Sequence, residues 1–232
     1  MKVIIFQITS ILIFSITISS CQKAIIKQPS LSMEKSFLAL GDSYTIGEAV
    51  PQDQSFPYQL AAKLSHAEIN ISSPEIIAVT GWTTDELIKE IRERNLQKKY
   101  DLVTLLIGVN NQYRGYSKEQ YRIEFNELLQ TALTFADGHK ERVIVISIPD
   151  WGVTPFAHKS DRDAAKISSE IDAFNAVNNE EALNAGVAYV DITPGSRKAS
   201  GDISLLAEDG LHPSGKMYAE WAEKLTVLIG KK

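Results

Sequence analysis

The stretch 37-FLALGDSYTIG-47 sets four apolar residues in a row and closes them with Gly-Asp-Ser. A short apolar run that stops at turn residues is how a strand covered on both faces reads, because neither face alternates toward water. Four more runs share this design: 75-EIIAV-79, 102-LVTLLIG-108, 143-VIVISI-148 and 187-VAYVDI-192. Helical periods lie between them. Residues 83-TTDELIKEIRERN-95 open with a capping box, Thr83 to Glu86, and carry Leu87, Ile88 and Ile91 on one stripe. Further stripes are Tyr121, Phe125, Leu128, Leu129 and Ala132 within 118–136, and Ile167, Ile171 and Phe174 within 162–184. The last, within 213–229, is Tyr218, Trp221, Leu225 and Leu228. Such alternation predicts an α/β fold: one three-layer α/β/α domain around a parallel sheet of about five strands. In sheets of this kind ligands bind beyond the carboxyl ends of the strands, so the loops that follow them are where chemistry is expected.

Each of those loops is ambiguous alone. In 41-GDSYTIG-47, Ser43 stands where a hydroxyl and its own backbone N–H can both face a crevice, yet Gly-Asp-Ser is also ordinary turn material. In 79-VTGWTT-84, Gly81 lets the backbone approach a ligand just ahead of a helix, or serves only as a turn glycine. In 108-GVNNQYRG-115, Asn110 can offer its amide to the same crevice, but paired asparagines also form loops. In 209-DGLHPSG-215, Asp209 and His212 are a carboxylate and a base three residues apart, or the start of a helix with an incidental histidine.

Their joint order is less easily explained by turn propensity. Gly-Asp-Ser at 41–43, the isolated Gly81, Gly-x-Asn at 108–110 and Asp-x-x-His-Pro at 209–213 together resemble the SGNH hydrolases, also called GDSL lipases and esterases. The resemblance spans Gly41 to Pro213 and implies a flavodoxin-like sheet. It also implies a serine hydrolase acting on ester bonds, with Ser43 as nucleophile, His212 as base and acid, and Asp209 orienting it. The oxyanion hole it implies uses the N–H groups of Ser43 and Gly81 and the side-chain amide of Asn110. A hydroxyl is a poor nucleophile until a neighbouring base takes its proton, and the tetrahedral oxyanion needs preorganised donors. Tyr44-Thr45 replaces the family's frequent Leu-Ser, and Asn111 stands where many members carry Asp. No Gly-x-Ser-x-Gly elbow is present, which disfavours the α/β-hydrolase fold.

Other residues rank below these. His66 and His139 lie in polar stretches, and Trp151, Phe156 and His158 fall in 149-PDWGVTPFAHKSDR-162, where the aromatics suit a core or lid more than chemistry. Arg114 reads as a solvated loop arginine before it reads as a contact for an anionic substrate.

At the start of the chain, Lys2 precedes an apolar run, Val3 to Ile18, too short and polar for a confident span, which reads as the core of a secretory signal. It ends in 18-ISSC-21, and Cys21 is the one cysteine of 232 residues. The pattern resembles the bacterial lipobox, which implies cleavage after residue 20, lipidation of Cys21 and attachment to the cell envelope. A plain secretory cleavage site is the other reading. The expected organisation is therefore 1–20 signal peptide, 21–35 lipidated cysteine and tether, and 36–232 hydrolase domain. With no other thiol there is no disulfide framework. Lys and Arg number 24 against 29 Asp and Glu, without a basic run, so nucleic acid is not expected as a partner. No metal spacing or phosphate-cradling loop is found, so no cofactor is expected.

The functional expectation is an esterase acting on lipid, lysophospholipid or short acyl esters through an acyl-enzyme. An O-acetylesterase acting on carbohydrate or cell wall is the alternative substrate reading. A ligand-binding lipoprotein that keeps only the scaffold is the alternative outside enzymology.

Overall fold

The computed structural model describes residues 33–231. The signal peptide, Cys21 and the tether up to residue 32 therefore lie outside the described residues. Chain order is β1 (Phe37–Gly41), α1 (Ser43–Ile46), α2 (Phe56–His66), β2 (Glu75–Ala78), α3 (Thr84–Arg94) and β3 (Leu102–Leu106). It continues with α4 (Val109–Tyr113), α5 (Lys118–Phe135), β4 (Val143–Ile146), α6 (Pro155–Lys159), α7 (Ala164–Ala185) and β5 (Ala188–Val190). Then come α8 (Thr193–Ser196) and α9 (Gly215–Ile229). Among the described residues no helix is long and apolar enough to cross a membrane.

The five strands form one sheet in the order β2-β1-β3-β4-β5, and every pairing is parallel. This is the flavodoxin-like order. All five predicted runs became strands: β1 runs one residue past its four apolar residues to Gly41, while β2 to β5 are shorter than their runs because the last one or two residues turn off the sheet into the loops. The three central strands are buried along their whole length, whereas β2 and β5 are partly covered, as edges should be.

Handedness distributes the helices. The chain steps one way through α2 to β2, then the other way through α3, α5 and α7 to β3, β4 and β5. Right-handed crossovers then require α2 on one face and α3, α5 and α7 on the other. Packing agrees: α3 touches α5 and α5 touches α7, while α2 packs along α9. The α2–α9 layer is built on aromatics, with Phe56 6.5 Å from Tyr218 and 6.3 Å from Trp221 between ring centroids. The sequence reading did not include α2. Its buried face is Phe56, Leu60, Ala61 and Leu64, and Pro57 in the first turn suits a helix start.

Two features bring the loops to one place. Gly41 pairs with Ala78 on one side and Leu106 on the other, so β1, β2 and β3 reach their carboxyl ends level. The direction of winding also reverses between β1 and β3, leaving the crevice that doubly wound sheets use for ligands.

Candidate active site

Ser43 begins α1, with only Asp42 between it and the end of the strand. Asp42 caps that helix by accepting from the Tyr44 N–H at 3.0 Å. Gly41 has to be glycine: a Cβ there would lie 2.1 Å from Thr45 Oγ1 and 2.3 Å from the Leu106 carbonyl oxygen. The helix can therefore fold back over the end of the sheet and hold Ser43 at the rim.

His212 arrives from the far end of the chain on a short, tied loop. Leu206 and Pro213 form an antiparallel bridge, and the Ala207 N–H donates to the His212 carbonyl at 2.8 Å. Ser214 then caps α9 by accepting from the Met217 N–H. Inside this loop Asp209 is fixed by three bonds. Its Oδ1 accepts from the N–H groups of Leu211 and His212 at 2.9 and 3.0 Å, and its Oδ2 lies 2.5 Å from His212 Nδ1. Burial by itself would raise the Asp209 pKa, but the His212 ring and the two backbone donors outweigh it and hold the carboxyl below its usual range. A carboxylate on Nδ1 makes that nitrogen the donor and leaves the Nε2 lone pair for the other side. There Nε2 meets Ser43 Oγ at 3.1 Å, across 169 positions of sequence.

Tyr44, one of the departures from the family pattern, is buried with its ring against His212, centroids 5.5 Å apart at 62°. It closes one side of the imidazole and touches Trp221 behind. Asn111, the other departure, is buried and points into the scaffold. Its Oδ1 accepts from the Thr84 N–H at 3.1 Å and its Nδ2 donates to Thr84 Oγ1 at 2.7 Å, joining α4 to the start of α3.

The remaining predicted residues face Ser43 across a cavity of about 170 Å³ lined by Ser43, Gly81, Asn110 and His212. Gly81 has φ +88°, a left-handed conformation that favours glycine. Asn110 donates one N–H of its amide to the Trp82 carbonyl at 2.9 Å, and a primary amide carries a second. The structure thus brings Ser43, Gly81, Asn110 and His212 to one cavity with Asp209 behind the histidine, while Cys21 lies outside the described residues. His66, His139 and His158 are all exposed. Arg114 is more than a solvated arginine: it pairs with Glu86 at 3.1 Å and donates to the Gly81 carbonyl at 2.6 Å.

Apart from Thr80, the other walls are apolar or aromatic: Tyr44, Val109, Tyr113, Trp151, Phe156 and Leu211. Trp151 is buried, its indole N–H donating to Gln112 Oε1 at 2.8 Å, while Phe156 and Tyr113 stay partly open at the rim. Arg162 stacks over the Tyr113 ring at 4.2 Å, which fixes that rim from outside. Val109, Tyr113 and Leu211 went unremarked in sequence. The available signal was their adjacency to Asn110 and His212, since neighbours of a motif residue at a strand-end loop share its crevice.

Comparison with known proteins adds to this geometry. No curated protein matches the chain. Solved structures do, at low identity. TesA is 18% identical with a TM-score of 0.66, covering 85% of this chain and 99% of its own. The acetylxylan esterase Axe2 from Geobacillus stearothermophilus is also 18% identical at TM-score 0.66, covering 84% and 94%. The psychrotrophic esterase EstA from Pseudoalteromonas sp., in a structure inhibited by monoethylphosphonate, is 15% identical at TM-score 0.64, covering 85% and 98%. These likenesses establish the fold. The family model for GDSL-like lipases and acylhydrolases matches residues 39–220, a span that runs from β1 through the Ser43 turn to the His212 loop and α9, and so the chain belongs to the GDSL-like lipase/acylhydrolase family.

Proposed function

We propose that this protein is a serine esterase that cleaves carboxylic esters through an acyl-enzyme on Ser43. The observation that carries the reading is the continuous hydrogen-bonded line from Asp209 through His212 to Ser43 Oγ, ending at a cavity lined by Gly81 and Asn110. Ser43 Oγ attacks the ester carbonyl while its proton passes to His212 Nε2. The carbonyl oxygen becomes an oxyanion facing the N–H groups of Ser43 and Gly81 and the amide of Asn110, where each donor is worth roughly 3 kcal/mol of barrier. Collapse breaks the bond to the alcohol, which leaves with the proton from His212, and Ser43 keeps the acyl group. Water then attacks that acyl carbonyl, giving its proton to His212, and collapse returns the proton to Ser43 and frees the acid. Asp209 stays ionised throughout and stabilises the imidazolium.

The apolar cavity, at about 170 Å³, is smaller than the roughly 300–1,000 Å³ that encloses a drug-sized ligand, so a short acyl group suits it better than a long chain. A sugar acetate belongs to that class, and Axe2, of the same fold, is an acetylxylan esterase. Attachment to the bacterial cell envelope through a lipid on Cys21 is part of the proposal and rests on the 18-ISSC-21 pattern alone.

The test is hydrolysis of p-nitrophenyl acetate, butyrate, octanoate and palmitate by the purified protein beside Ser43→Ala and His212→Gln. Wild type should turn over acetate and butyrate fastest, and both variants should fall to background with an unchanged fold by circular dichroism. Equal rates for wild type and Ser43→Ala would refute the esterase reading.

A further inference from the structure

We infer that Arg114 is a positioning residue that holds the Gly81 arm of the oxyanion hole in its working conformation. The inference rests on the proposed esterase reading of this site.

The loop 79–83 between β2 and α3 carries the Gly81 N–H. Gly81 sits at φ +88°, and a Cβ there would meet nothing nearer than Arg114 Nη2 at 3.8 Å. No packing against side chains therefore confines this residue, and glycine has the widest backbone freedom of any residue. What confines the loop is its own turn, in which the Trp82 N–H donates to the Val79 carbonyl at 3.2 Å, and a set of hydrogen bonds from both sides. On the nucleophile's side, the Thr80 hydroxyl donates to the Glu48 carboxylate, and the Glu48 N–H donates to the Ser43 carbonyl at 3.0 Å. On the other side, Arg114 Nη2 donates to the Gly81 carbonyl at 2.6 Å and Asn110 donates to the Trp82 carbonyl at 2.9 Å.

Arg114 is itself aimed. Its Nη1 lies 3.1 Å from Glu86 Oε1, while Glu86 Oε2 accepts from the Thr83 N–H at 2.9 Å as half of the capping box. One carboxylate thus bridges the guanidinium and the start of α3, and the guanidinium bridges that carboxylate and the Gly81 carbonyl. The planar fork of arginine makes both bonds at once, which a lysine's single nitrogen does less well. The Gly81 carbonyl and N–H lie in adjacent peptide planes hinged at its Cα, so anchoring the carbonyl to Arg114 fixes one side of that hinge and limits how far the plane carrying the N–H can shift. Arg114 follows Asn110 by four residues as the C-cap of α4, so this short helix supplies one oxyanion donor directly and its cap steadies another through the carbonyl.

An exposed ion pair adds little to global stability, so replacing Arg114 should leave the fold intact. For Arg114→Gln assayed with p-nitrophenyl acetate, kcat should fall about ten- to a hundredfold with KM within about twofold, since a misplaced donor weakens the transition state more than substrate binding. The pH midpoint of the rate should stay put, because His212 and Asp209 are untouched. Inactivation by a p-nitrophenyl dialkyl phosphate, which places a phosphoryl oxygen in the hole, should slow by a similar factor. Arg114→Lys should recover part of both rates. Three results overturn the inference while leaving the esterase reading standing, provided Ser43→Ala is inactive. They are kcat for Arg114→Gln within about twofold of wild type, a loss confined to KM, and a loss that tracks a falling melting temperature in both Arg114 variants. A Ser43→Ala variant as active as wild type overturns both.

Discussion

Asp42 is buried directly beneath the nucleophile and takes no part in the proposed proton transfers. Burial raises its pKa from 3.8 to about 7, although the N–H groups of Tyr44 and Gly108 pull the other way. Among the described residues its buried Oδ2 has no hydrogen-bond partner, which makes ionisation costly there. The consequence is a stability that falls as pH rises. Well below pH 3.8 the side chain is neutral in both folded and unfolded states. Between the two pKa values the unfolded chain releases the proton and the folded chain keeps it, so the unfolded state is favoured progressively. Above about 7 both states are ionised and the loss levels off. A difference of about three pKa units at roughly 1.4 kcal/mol each gives about 4 kcal/mol, of which about 2 to 3 falls between pH 5 and 8. Asp42→Asn keeps an oxygen for the Tyr44 N–H and has no proton to lose. Urea unfolding of both proteins at steps from pH 5 to 8 isolates this group, because every other titration is common to the pair. The stability of wild type relative to Asp42→Asn should decline by those 2 to 3 kcal/mol across the range, whatever constant offset the substitution brings. Parallel curves would refute the reasoning.

Asp209→Asn removes the charge behind His212 while keeping an amide of the same shape, and should lower kcat by about two to four orders of magnitude. Because Asp209 is held below its normal range, the acidic limb of the wild-type rate profile should not report Asp209, which a pH series of kcat/KM will show. Trp151→Ala and Phe156→Ala both enlarge the apolar pocket, so the ratio of octanoate to acetate hydrolysis should rise in each. Trp151→Ala should also cost about 3 to 5 kcal/mol in urea unfolding, since that ring is buried. Cys21→Ser should move the protein from the membrane to the soluble fraction, and unchanged fractionation would remove the lipid anchor from the proposal.

Much of the fold and of the candidate site was legible in the chain because both depend on local signals. Buried parallel strands are uniformly apolar, so 37-FLAL-40 and 143-VIVISI-148 announce themselves, and the capping box at Thr83 and Glu86 marks where α3 begins. Helix α2 was less visible. It is held by α9 from the other end of the sequence, through aromatics no local period reveals. The partners of Arg114 were hidden for a related reason. In sequence it stands in a polar loop, and only the fold sets it against Glu86 and the Gly81 carbonyl, residues 28 and 33 positions away.

By itself, then, the sequence determined the α/β class, the five strands and the residue types at each strand end. The pairing of Asp209 with His212 was implied only by the family resemblance, and the fold supplies it through the short loop that sets the two side chains 2.5 Å apart. The bond from His212 to Ser43 was decided by tertiary structure alone. It requires parallel strands β1, β2 and β3 to end level, Gly41 to admit the fold-back of α1, and the packing of α9 on α2 to return the last loop to the rim. Turn chemistry acts over a few residues, whereas contacts across 169 positions are set by how the layers pack.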